Sequence, residues 1–170
     1  SDEAKRVRCI RERLCGLCGQ PMGRYVAFMG GPSTAEHRVY FDPGMHTDCA
    51  EYAMAVCPYF ALRDFDFSDP GQVKQRHKAE EDKTGYKVET YLHRAEKPAY
   101  MAMLVAQRYT EILEPGAPLY VRAVDVDRVL IYEFGADGRS RHTRTERPAA
   151  EQPAPSSAVK FKAFHKRPQP

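Results

Sequence analysis

Cys15 and Cys18 enclose two residues in the stretch "LCGLCGQPMG", and His46 and Cys49 stand three positions apart in "MHTDCAEYAMAVCPYF". Thiolates and imidazoles are ligands for Zn²⁺, which takes four of them in a tetrahedron. A C-x-x-C knuckle supplies two thiolates from one tight turn, and Gly16 and Gly19 tolerate the backbone that such a turn needs. A histidine and a cysteine at i and i+3 fall on one face of a first helical turn. The two half-sites predict that Cys15, Cys18, His46 and Cys49 bind one Zn²⁺. Four protein ligands leave no position for water or substrate, so the predicted ion is structural. Three thiolates and a neutral imidazole around it leave a formal charge of minus one, so it adds no positive charge for phosphate binding. Cys9 and Cys57 read as ordinary thiols, with Cys57 on the core side of the same helix.

Other chemistries fit these residues less well. A thioredoxin-like dithiol needs a helix running on from its second cysteine, and Pro21 would break it. A zinc deaminase needs H-x-E before P-C-x-x-C; here the order is reversed and Asp48 replaces the glutamate. An HNH-like nuclease on a zinc scaffold needs a further open metal site. His37 is offered by "EHRVYFD", but no second donor pair accompanies it.

The elements that must hold the donors follow from periodicity. Val7, Ile10 and Leu14 form one narrow stripe of a short N-terminal helix over residues 3–14. Residues 24–42 read as a hairpin: "RYVAFM" alternates, "GGPSTA" turns, and "HRVYFD" alternates again. A helix begins near His46 and cannot continue past Pro58. Knuckle, hairpin and helix together predict a treble clef. "AYMAMLVA" is continuously apolar and fits a buried strand or a helix. "LYVRAV", "DVDR" and "VLIYEF" read as two strands around a tight turn, closed by the turn "ADGR".

The chain therefore divides into a zinc module with its N-terminal helix (1–60), a polar loop or insertion (61–87), a small antiparallel sheet packing on the module (88–138) and a basic, Pro-rich tail (139–170). The fold class is α+β. In the last segment Val159, Phe161 and Ala163 alternate with lysines, the pattern of a strand that adds to a sheet edge.

Composition limits the functions available. The 170 residues are 42% hydrophobic and carry a net charge of +3. Residues 139–170 hold eight basic residues against two acidic ones, so the rest of the chain is mildly acidic. No apolar run approaches a membrane span. The first residues lack the apolar core of a signal peptide, which predicts a cytoplasmic protein. An odd cysteine count argues against a disulfide framework.

"RLCGLCGQPMGRYVAFMGGP…HRVYFDPGMHTDCAEYAMAVCPYF" resembles a family of small zinc-finger-like proteins of bacteriophages and prophages. The likeness rests on Cys15, Cys18, Gly19, Gly23, Gly31, Pro32, His46, Asp48, Cys49, Ala50, Glu51, Cys57, Pro58 and Tyr59. It implies a zinc site, a bacterial host cytoplasm and no particular reaction. It also favours a strand for "PAYMAMLVAQRY", while the C-terminus departs from the family's helical finish. The expected function is a non-enzymatic binding module acting on a host or phage protein, as regulator or inhibitor, with no membrane or small-molecule substrate. The alternative is a nucleic-acid binder using the basic tail; Arg139, Arg141, Arg144, Lys160, Phe161, Lys162, Lys166 and Arg167 are the candidates for contact with nucleic acid or a protein partner.

Overall fold

The computed structural model describes residues 2–65, 98–113 and 118–148. Its elements, in chain order, are α1 (Glu3–Arg11), β1 (Val26–Gly30), α2 (Pro32–His37), β2 (Val39–Tyr40), α3 (Thr47–Val56), α4 (Pro58–Ala61), β3 (Tyr100–Ile112), β4 (Tyr120–Phe134) and β5 (Ser140–Glu146). The strands form one antiparallel sheet in the order β1-β3-β4-β2, with β5 also pairing β4. β2 takes the start of the outer edge of β4 at Val121 and Arg122, and β5 takes its end from Val129 to Phe134. The fold is α+β, as expected.

β3 occupies the middle of the sheet, and Met101 to Ala106 are all buried. Both faces are covered, which explains why this stretch is continuously apolar rather than alternating. On one face Val26 and Phe28 of β1 pack with Leu104, Ala106, Val121, Ala123 and Ile10 of α1. On the other, Ala27 packs with Met103, Val105, Met45, Ala50 of α3 and Cys15. The predicted division of β1, with Ala27 and Met29 opposite Val26 and Phe28, is the one observed.

Three expectations are corrected. β1 and β2 do not form a hairpin: β1 pairs β3 and β2 pairs β4, so two long strands lie between them. "GGPSTA" is no turn. Gly31 caps α2, Pro32 opens it, and the Thr34 hydroxyl donates to the Gly31 carbonyl at 2.8 Å. "DVDR" does not separate two strands either. β4 runs unbroken through it, and the pairing skips a residue where Val105 and Ala106 oppose Arg128 and Val126. Asp125 takes a left-handed φ of 53° there. Such an irregularity changes the alternation, so Val121, Ala123, Val126 and Val129 all pack against one core although their spacing is uneven.

A fourth correction concerns the C-terminal third. Residues 140–146, assigned to a tail, are strand β5. "ADGR" is the expected turn, with the Gly138 N–H donating to the Gly135 carbonyl at 3.0 Å. Most of the expected 61–87 loop, residues 88–97 of the expected sheet segment and residues 149–170 lie outside the described residues. Among the described residues no helix is long and apolar enough to cross a membrane.

α1 is fastened by a buried cation. The Arg6 side chain is 4% exposed and pairs with Glu3 at 2.6 Å. Its Nη1 donates to the carbonyls of Phe41 at 2.5 Å and Leu119 at 2.8 Å, and its guanidinium lies over the Phe41 ring. One side chain thus ties the helix to the chain after β2 and to the start of β4. Arg6→Ala leaves two carbonyls without this donor, so it should cost about 1–3 kcal/mol, read as a lower urea midpoint at unchanged slope.

Candidate metal centre

The knuckle folds through its own backbone. The Cys15 N–H donates to the Gln20 carbonyl at 2.8 Å and the Gly19 N–H to the Cys15 carbonyl at 2.9 Å. Leu14 and Pro21 bridge at the neck of this loop. Gly19 adopts φ +73°, a conformation that favours glycine.

The second half-site is the entry of α3. His46 is its N-cap residue, and the imidazole makes no capping bond, so it is available elsewhere. Cys49 follows one turn later, half-buried, as the spacing requires.

Backbone pairing brings the halves together. The Gly16 N–H donates to the Gly44 carbonyl at 2.9 Å. Ala27 and Met45 exchange two bonds, at 2.8 and 2.9 Å, which lays the residue before His46 against β1. Gly44 has no room for a side chain: a Cβ there would fall 2.2 Å from Val26 Cγ1. A residue that the sequence marks only as the end of a strand is therefore what lets the helix entry approach the sheet.

The outcome is one cluster. The ligand atoms of Cys15, Cys18, His46 and Cys49 all lie within 4.8 Å of one another. His46 Nδ1 is 3.4 Å from Cys18 Sγ and 3.8 Å from Cys49 Sγ. Sulfur and nitrogen held by one zinc at ~2.3 and ~2.0 Å in a tetrahedron would stand about 3.5 Å apart. The separations bracket that value, so the donors fit one such ion. His46 Nε2 lies 3.1 Å from the Pro21 carbonyl. Donation from Nε2–H to this oxygen leaves Nδ1 with its lone pair toward the sulfurs, a common way to orient a metal-binding imidazole. The same carbonyl pushes the His46 pKa up.

The thiols are unequal. Burial would push Cys15 up, but the backbone N–H groups of Cys18, His46 and Leu17 aimed at its sulfur outweigh it and bring the thiol down to about 6. Burial, followed by the Cys15 and Cys18 sulfurs, pushes Cys49 up to about 12. Without a cation, three thiolates this close repel one another, and the proton stays on Cys49. Cys15 is 1% exposed, whereas Cys18 is exposed and His46 and Cys49 are half-buried. Cys9 and Cys57 are half-buried free thiols outside the cluster.

The partner-binding candidates fare differently. Arg141 pairs with Asp137 at 2.5 Å. Arg144 pairs with Glu133 at 2.6 Å and Glu146 at 2.7 Å. The Arg139 backbone closes the turn before β5. Lys160, Phe161, Lys162, Lys166 and Arg167 lie outside the described residues.

The chain matches no protein-family model, no curated protein and no solved structure. The site's own geometry therefore carries the functional argument.

Zinc must displace the Cys49 proton, so binding at pH 7 should release at least one proton per ion. Calorimetry in buffers of different ionisation enthalpy would count it. The Cys15 pKa is depressed, so its contribution is full above the ordinary thiol range and lost as pH falls through about 6. Affinity should fall about tenfold per pH unit for each proton displaced.

Proposed function

We propose that this chain is a non-catalytic binding module held by one structural Zn²⁺ at Cys15, Cys18, His46 and Cys49, and that its partner is a protein. The observation that carries the zinc reading is the convergence of all four ligand atoms within 4.8 Å, from two half-sites far apart in sequence. Three sulfurs and one imidazole are the donor set of a structural zinc site, and softer or harder competitors prefer other sets. A knuckle meeting the first turn of a helix supports the treble-clef reading, although β1 and β2 flank β3 and β4 instead of forming its hairpin. Four donors close the coordination sphere, which favours support over catalysis.

The protein partner is favoured over nucleic acid by what surrounds the site. Leu17 at the knuckle tip is 50% exposed, and Tyr52 and Val56 on α3 are 61% and 51% exposed. Tyr52 and Val56 follow Cys49 by three and seven residues, so they continue its side of the helix. Meanwhile Arg141 and Arg144, two of the expected phosphate contacts, are engaged with carboxylates of the same sheet. The likeness to phage and prophage zinc-finger-like proteins adds a bacterial host to this reading, and a regulator or inhibitor is the role we assign to the module.

Elemental analysis of protein purified without chelator should find one zinc per chain. Cys49→Ala should lose the ion and lower the melting temperature, while Cys57→Ala should keep it. A metal-free wild-type protein with unchanged stability would remove the zinc reading. Affinity capture from bacterial lysate should recover the same protein partner before and after nuclease treatment. Loss of the partner on nuclease treatment would favour nucleic acid instead.

A further inference from the structure

The three sulfurs of the cluster do not share one environment. Cys15 is 1% exposed, and its sulfur accepts from the backbone N–H groups of Cys18, His46 and Leu17. Cys49 is half-buried on α3 beneath the knuckle. Cys18 is exposed, beside an exposed Leu17. An oxidant arriving from solvent meets Cys18 first. Access and thiolate character together decide which cysteine reacts, and coordination would hold all three as thiolates.

Cys18 also has a resolving partner in reach. Cys15 shares its loop, and that loop is closed by the bonds from Cys15 to Gln20 and from Gly19 to Cys15 rather than by the ion. The two sulfurs therefore stay neighbours when coordination is disturbed. Cys49 belongs to a different element, joined to the knuckle through the Gly16–Gly44 bond.

We propose that Cys18 is an oxidation site for peroxides, and that its oxidation ejects the metal by forming a Cys15–Cys18 disulfide. This rests on the zinc reading above. In the first step the Cys18 thiolate attacks one oxygen of hydrogen peroxide. The O–O bond breaks, hydroxide leaves, and Cys18 becomes a sulfenic acid. In the second step the Cys15 thiolate attacks the Cys18 sulfur. The S–S bond forms as the S–O bond breaks, and a second hydroxide leaves. Two thiolates have given two electrons to one peroxide. His46 and Cys49 alone cannot retain the ion, so it passes to solvent. The consequence is a loosening of the link between knuckle and helix entry, next to Leu17, Tyr52 and Val56.

The test uses the full-length wild-type protein, with zinc measured before any oxidant is added. Absence of zinc at that stage defeats the zinc reading itself and is seen before the present one is tried. With zinc present, hydrogen peroxide should release one ion per chain to a colorimetric chelator. Tryptic cleavage after Arg13 and Arg24 yields a peptide holding both Cys15 and Cys18 and no other cysteine. That peptide should lose the mass of two hydrogens in step with zinc release, and a thiol reductant with added zinc should reverse both. Retention of zinc under excess peroxide overturns the proposal. So does release with Cys49, Cys9 or Cys57 in the disulfide.

Discussion

Two backbone contacts decide the arrangement of this molecule: Gly16 with Gly44, and Ala27 with Met45. They fasten the knuckle to the segment before α3, and that segment to β1. Neither involves a donor side chain. Yet without them the four donors would belong to two unconnected half-sites, and any ion would have to supply the whole closure. The cost of bringing distant chain segments together is chiefly entropic. Here the sheet meets much of it, because β1 is pinned by its register with β3 from Val26 to Gly30. An ion bound by the cluster would then act as a cross-link on a partly organised site.

That organisation creates an electrostatic demand. Backbone N–H groups draw the Cys15 thiol down to about 6, whereas its neighbours push Cys49 up to about 12. The cluster without a cation therefore holds fewer than three thiolates at neutral pH. A divalent cation removes the conflict by compensating all three. The geometry is thus better satisfied with a soft-ligand metal than without one, for the same reason that such metals couple to folding in small modules.

The donor residues were fully legible in the sequence, because ligand chemistry constrains spacing locally: two cysteines in one turn, a histidine and a cysteine in another. The helices α1 and α3 were legible for the same reason, being set by short-range periodicity and by Pro58, which opens α4. What could not be read was which strand pairs with which. "RYVAFM" and "HRVYFD" look like hairpin partners because they are near in sequence, yet the long apolar β3 and β4 take the positions between them. Local alternation carries no information about a competing partner farther along the chain. "DVDR" failed for a related reason: its polar residues suit a turn, and a bulge uses the same left-handed residue at Asp125 without reversing the chain. Gly44 and Arg6 were missed because their roles lie in distant contacts, with Val26 for one and the Leu119 carbonyl for the other.

The charge distribution shows how a compositional signal changes once strands are paired. Residues 98–138 contain three arginines against six carboxylates, and 139–147 contain four arginines against one glutamate. Seen along the chain, this is an acidic body followed by a basic tail. Seen in the sheet, β5 lies against the end of β4, and Arg144 meets Glu133 across the pair. Arg141 meets Asp137 across the turn. These are exposed pairs worth little to stability. Their consequence is for recognition: a basic strand whose guanidiniums already face carboxylates presents a weaker field to a polyanion than its composition suggests. The apolar side chains beside the metal site are not offset in this way. Leu17, Tyr52 and Val56 remain exposed after the sheet and helices have packed, and they are the surface that the proposed protein partner would cover.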